Sequence, residues 1–151
     1  MNKDIEYIKR AINLSKKGTY PYGAVIVKDN IVIAEAYSGE GDNLDPTNHA
    51  ETLAVRKACK NIGSSDLKGA TIYSSCEPCF MCFGTIWWAN ISKIVYAANI
   101  EESNKVLNTP IDIGVEELNN KTGNCIKITG GILEEESVKV MEEWLKNKEK
   151  I

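Results

Sequence analysis

Short apolar runs alternate with amphipathic stretches along this chain, and that alternation limits its fold more than any other feature. Gly23-Ala24-Val25-Ile26-Val27 is a run of small and β-branched residues, the length of one buried strand. Asp29-Asn30 is a turn pair, and Ile31-Val32-Ile33-Ala34-Glu35-Ala36 reads as a second strand, so a hairpin is expected. Ahead of it, residues 4–17 carry Ile5, Ile8, Ala11 and Ile12 on one helical face, with Gly18 as a stop. Residues 38–48 are rich in Gly, Asp, Asn and Pro and read as a loop. Residues 49–62 repeat Ala50, Leu53, Ala54 and Ala58 at helical spacing and meet Gly63. Ala70-Thr71-Ile72-Tyr73-Ser74 predicts a third strand. Pro78 opens a helix to about Ala89, at a first-turn position that needs no amide donor. Lys93-Ile94-Val95-Tyr96-Ala97 predicts a fourth strand. Residues 99–124 read as polar and irregular, with a short helix at 113–119. Ile126-Lys127-Ile128 is a short last strand, and residues 134–149 form a charged helix with Val138, Met141 and Leu145 inward.

Strands separated by helices imply parallel neighbours and a sheet covered on both faces, an α/β fold. The 151 residues show no repeat, low-complexity tract or linker, so one domain over 1–151 is expected. With 43% apolar and 26% charged residues the balance is that of a soluble globular chain. No apolar run is long enough for a membrane span, and Met1-Asn2-Lys3-Asp4-Ile5-Glu6 lacks a signal-peptide core, so a cytoplasmic protein is expected. The 18 basic and 21 acidic residues are interleaved, which argues against a nucleic-acid partner. The five cysteines are an odd number without an export signal, so metal or redox chemistry is expected rather than a disulfide framework.

Three of those cysteines fall in Cys76-Glu77-Pro78-Cys79-Phe80-Met81-Cys82, and the chain's one histidine lies upstream in Thr47-Asn48-His49-Ala50-Glu51. Zinc favours four-coordinate Cys/His sites, and a catalytic site keeps one position for water. His49, Cys79 and Cys82 make three ligands. Cys79 and Cys82, three apart at a helix start, point the same way, and the helix N-terminus favours their thiolates. Glu51 is too close along the chain to His49 to be a comfortable second ligand, and it can instead sit beside a water that zinc brings to a pKa of roughly 7. One carboxylate alternating between base and acid can serve both ends of a hydrolysis.

The pair His49-Ala50-Glu51 and Pro78-Cys79-Phe80-Met81-Cys82 resembles the signature of the cytidine-deaminase-like superfamily of zinc enzymes. Asp45 to Glu51, Ser75 to Cys82, Gly84-Thr85-Ile86-Trp87-Trp88-Ala89 and Tyr96-Ala97-Ala98 are most similar to bacterial guanine deaminases over roughly residues 3 to 100. The tail from Ile126 to Leu145, with Thr129-Gly130-Gly131-Ile132-Leu133, looks more like the tRNA adenosine deaminases. The resemblance implies a three-layer α/β/α sandwich with a five-stranded mixed sheet, a homodimer, and a site at two helix N-termini. It implies Zn2+ held by His49, Cys79 and Cys82, with Glu51 as the proton carrier. It also implies substrate contacts from Ser38, Ala50, Glu77 and Trp88, those near Glu77 and Cys79 through backbone groups. Guanine deaminases carry an Asn in the loop before the metal histidine where this chain has Ser38, a weaker hydrogen-bonding partner.

The function this implies is hydrolytic deamination of a free nucleobase or related aminated heterocycle, guanine or another purine first, with release of ammonia. The alternatives are a tRNA adenosine deaminase, a cytosine or cytidine deaminase, and a non-catalytic zinc module. Some residues have simpler readings. Cys76 is expected as a small buried side chain, and Cys59 and Cys125 as ordinary thiols. Trp87 and Trp88 cannot face the same way on one helix, so one is expected in the core or an interface. Asn43 and Asp45-Pro46 suit loop and helix entry.

Overall fold

The computed structural model describes residues 3–149. Met1 and Asn2 of the stretch read for a signal segment lie outside the described residues, as do Lys150 and Ile151. The elements are α1 (Lys3–Ser15), β1 (Gly23–Lys28), β2 (Ile31–Tyr37), α2 (Ala50–Ile62), β3 (Thr71–Cys76), α3 (Phe80–Trp88), β4 (Lys93–Ala98), α4 (Ile100–Leu107), α5 (Val115–Lys121), β5 (Lys127–Thr129) and α6 (Glu134–Glu149). The five strands form one sheet in the order β2-β1-β3-β4-β5. Helices cover both of its faces, as expected for the α/β/α sandwich.

Strand alternation divides the core in two. Ala24, Ile26, Ile72 and Ile94 pack with Ala54, Ala58, Phe83 and Ile86 of α2 and α3 on one face. Val25, Val27, Tyr73, Val95 and Ala97 pack with Ile8, Ala11 and Ile12 of α1 on the other. Both sets come from the same strands because successive side chains point to opposite faces. That is why β1 reads as an unbroken apolar run.

The hairpin is as expected. Asp29 and Asn30 both adopt positive φ (52° and 62°), the turn whose twist matches paired strands. The sheet is mixed, as expected. β1 runs antiparallel to both β2 and β3, and only β3–β4 and β4–β5 are parallel. The hairpin reverses β2 relative to β1, so α2 joins two like-directed strands, β2 and β3, that flank β1 rather than touch.

Several boundaries shift by a residue or two, and one helix is new. The last strand starts at Lys127, not Ile126, whose side chain is buried in the core beside α5. The short helix lies at Val115–Lys121 rather than 113–119. Residues 100–107, read as irregular, form α4 with Asn99 as its cap: the Asn99 side chain accepts from the Glu102 amide at 2.9 Å.

This topology creates one functional edge. β2, β3 and β4 run in the same direction, and each is followed by a connection into α2, α3 or α4. Ligands of open α/β sheets sit beyond such strand ends.

Candidate active site

The site starts from two helix N-termini. His49 is the N-cap of α2, with φ −69° and ψ 155°, and its side chain makes no capping bond. Cys79 is the N-cap of α3, with φ −71° and ψ 172°, and it too leaves the cap unmade. A cap that does not bond to its own helix has its side chain available to a neighbour. Cys79 Sγ lies 3.7 Å from His49 Nδ1. Pro78 precedes the cap rather than opening the helix, and Cys82 falls in the first turn, buried, with its Sγ 3.3 Å from Thr52 Oγ1.

The ligand atoms of His49, Cys79 and Cys82 all lie within 4.8 Å of one another. Donors around a tetrahedral zinc, at Zn–S of about 2.3 Å and Zn–N of about 2.0 Å, must come about this close. The charges point the same way. The Cys82 thiol hydrogen-bonds to Cys79 and, with help from His49, pulls Cys79 down to about 4, while Cys82 itself is pushed up by that bond and by burial. His49 is raised, first by its hydrogen bond to Cys79. Two thiols and an imidazole sharing protons in a low-dielectric corner are a donor set that a dication would satisfy.

Glu51 is in the first turn of α2 and only 6% exposed. Burial, reinforced by the Cys79 charge, pushes its carboxyl up to about 7. It lines the same cavity as His49 and Cys79.

That cavity is about 300 Å³. Its floor is His49, Glu51, Cys76 and Cys79, and its near wall is Tyr20, Tyr22 and Ser38. Its far wall comes from α4 (Ile100, Ser103, Asn104, Leu107) and from Thr109 and Ile111 beyond it. Trp144 and Leu145 of α6 complete the rim. Tyr22 and Ser103 join across it, oxygen to oxygen, at 3.0 Å. At the rim Trp144 Nε1 donates to the Thr19 carbonyl at 3.1 Å, its ring lies 5.5 Å from Tyr20, and the Lys148 ammonium sits 4.6 Å above it.

The residues expected at the site divide. His49, Glu51, Cys79 and Cys82 converge, and Ser38 lines the cavity. Glu77 also lines the cavity, while its side-chain oxygens accept from the Ile100 amide at 2.9 Å and the Val115 amide at 2.7 Å. Ala50 buries its methyl in the core beneath α2. Trp88 does not reach this cavity: it is 80% exposed on the outer face of α3 and meets Trp87 edge-on at 5.0 Å. Helical geometry sends position 88 outward once Cys82, Phe83 and Ile86 face in. Cys76 is buried, as expected, and its thiol is pushed well up by burial. Asn43 stays exposed; Asn48 is the residue that organises the loop, donating to the Glu40 and Asp42 carbonyls.

Apart from Ser38, sequence reasoning named no residue of the walls, expecting only that the 99–124 stretch and the C-terminal helix help close the site. A signal for α4 was present: Ile100, Ser103, Asn104 and Leu107 follow i, i+3, i+4, i+7 spacing behind a capping Asn. Two polar members hid the pattern. Trp144 and Tyr20, far apart in sequence, carried no such signal.

Residues 1–98 match the family model for the cytidine and deoxycytidylate deaminase zinc-binding region. This chain belongs to that deaminase family. Guanine deaminase of Bacillus subtilis is 46% identical over 97 residues, which is 61% of this deaminase and 62% of that protein. A tRNA-specific adenosine deaminase of Buchnera aphidicola subsp. Baizongia pistaciae is 33% identical over 154 residues, 99% of this chain and 93% of that one. A solved guanine deaminase from Nitrosomonas europaea shares the fold, with a TM-score of 0.81 over 93% of this chain and 83% of its own at 20% identity. The cofactor of this zinc-binding family is Zn2+, and the His49, Cys79 and Cys82 group of this chain gathers the donors that suit it.

Proposed function

We propose that this deaminase hydrolyses the exocyclic C–N bond of a free aminated heterocycle, a purine and first of all guanine, releasing ammonia. The observation that carries the reading is the buried Glu51 carboxyl beside the three-donor group, at the floor of an apolar-walled cavity of about 300 Å³. His49, Cys79 and Cys82 hold the zinc; when bound, it supplies the Lewis acidity that makes a water nucleophilic near neutral pH. Glu51 does the proton work. With its carboxyl raised to about 7, it can take a proton and return it at similar cost. It accepts a proton as the water oxygen adds to the amino-bearing carbon, and delivers it to the ring nitrogen. It then passes the second water proton to the amino group, which departs as ammonia while the carbonyl forms. Tyr22 and the α4 wall sandwich a flat ring and exclude water. Ser38 and backbone groups near Ala50, Glu77 and Cys79 are the polar contacts we assign to the ring.

The choice of a free base over a nucleic acid rests on the rim and on charge. Trp144 and Leu145 stand where a polynucleotide would enter, and acidic residues outnumber basic ones, 21 to 18. A second reading, tRNA adenosine deamination, is favoured by the full-length span of such a relative. A homodimer is part of the proposal, supported by exposed Phe80 and Trp88 on the charge-free α3. So is the action of the chain as one domain.

The test is ammonia release from free purines, pyrimidines and their nucleosides beside an RNA hairpin. Guanine or another free purine is the expected substrate. Glu51→Ala is expected to abolish release while keeping zinc, and activity retained in that variant would overturn the mechanism. Deamination of the hairpin alone would replace the substrate reading with the second one.

A further inference from the structure

Glu77 lies between Cys76 and Pro78-Cys79 in the metal-binding segment, yet its carboxylate serves the opposite wall. It is 8% exposed. Oε1 accepts the Ile100 amide, the first of α4, and Oε2 accepts the Val115 amide, the first of α5. These amides are among the donors a helix leaves unpaired at its start. The Glu77 amide donates to Ala98 at 2.7 Å, which ties the end of β3 to the end of β4 just before α4 begins.

Gly114 gives an independent sign that the arrangement is built in. Its φ of −100° suits any residue, so backbone freedom does not explain a glycine there. Space does. A Cβ at Gly114 would stand 2.5 Å from Glu77 Oε2. The two clipped segments also hold each other. Asn104 Nδ2 donates to the Ile111 carbonyl at 2.7 Å, and Thr109 Oγ1 donates to Asn104 Oδ1 at 2.6 Å.

We infer that Glu77 is the positioning residue for the substrate wall: one carboxylate, rooted in the metal-binding segment, sets the distance between the floor and both parts of the far wall, α4 and the 108–114 segment. It acts on ring binding through the wall residues Ile100, Asn104 and Ile111. The inference rests on the deaminase reading for its kinetic part only.

Glu77→Gln keeps the shape but leaves one oxygen for two amides, and Gly114→Ala drives a methyl at the same carboxylate from the other side. Both are expected to raise KM for the accepted base about tenfold, the cost of one hydrogen bond to a charged group. Zinc content and kcat are expected to stay within about twofold of the parent. Amide hydrogen exchange across 100–121 is expected to quicken in both variants while α1 and α2 keep their protection. Unchanged exchange at 100–121 would overturn the inference, whatever the activity, and so would a loss of zinc or of kcat with KM unmoved. If no base is turned over, the deaminase reading fails and the exchange result still decides the role of Glu77. If Glu77→Gln does not fold, Gly114→Ala carries the same comparison.

Discussion

The floor of the cavity and its walls are built by different physics. The floor is made of two helix N-termini seated on the central sheet, and the residues beneath them, Ala50, Ala54, Phe83 and Ile86, are fully or almost fully buried. Close packing of that kind has few alternative arrangements. The far wall is held by polar side chains, Glu77 on the start of α4 and Asn104 on the 108–114 segment, and the α5 support behind it is held the same way, by Glu77 at its start and by Asn119 on both the amide and the carbonyl of Ile126. Only one residue of α4, Ser103, is buried. The groups we assign to the chemistry sit against the most closely packed part of the chain, and those we assign to substrate choice sit where a few hydrogen bonds hold the backbone. A family that keeps its chemistry and varies its substrate can do so by changing the walls alone.

The sharpest way to break this comparison is at the floor. His49→Ala or Cys82→Ala is expected to lose zinc and to lower ammonia release by at least about 10³-fold, read by metal analysis and by rate. Zinc retained at full stoichiometry would remove the residue from the donor set.

Next in size is a pH effect on the floor. The folded Glu51 carboxyl, at about 7, lies above its ordinary value of 4.5. The native state therefore prefers the protonated form. The resulting penalty is absent below about pH 4.5, grows as pH rises towards 7, and levels off above. In metal-free protein, Glu51→Gln is expected to gain stability over the parent by up to about 3 kcal/mol across that window. A gap that does not widen with pH in denaturant melts would mean that Glu51 is not held protonated by burial.

The walls should respond more mildly. Asn119→Ala strips two hydrogen bonds from buried backbone and is expected to cost about 2 kcal/mol, seen as a lower thermal midpoint. Trp144→Ala opens the rim between α6 and Tyr20 and is expected to raise KM about tenfold with kcat little changed. A fall in kcat with KM unchanged would move Trp144 from the walls to the chemistry. Smallest of all, Trp88→Gln is expected to leave the kinetics within about twofold, since Trp88 is away from the cavity. A large kinetic effect would bring Trp88 into a site across a subunit interface.

Much of the floor was legible in the sequence because its signals are local. His49 and Glu51 share one helical turn, Cys79 and Cys82 share another, and metal donors need fixed spacing to converge. The strand runs and the Asp29-Asn30 turn were legible for the same reason. The strand order was not, because the order of chain segments does not say which strands become neighbours; the hairpin put β1 between β2 and β3. Trp88 was placed by likeness, and helical phase sent it outward. Glu77 was expected near the substrate through its position in the motif and does line the cavity; what the sequence did not show is that its side chain answers two amides that lie 23 and 38 residues further on.

By itself the sequence determined the α/β class, the layout of the hairpin, and the gathering of a zinc donor set beside one carboxylate. Those depend on periodicity and on short-range spacing, which survive without knowledge of the fold. Tertiary structure alone decided what surrounds that chemistry: that Tyr20 meets Trp144, that Tyr22 meets Ser103, and that Glu77 reaches from the metal-binding segment to the far wall. Each of these joins residues far apart along the chain, and such contacts form only once packing of the two sheet faces has fixed where every helix begins.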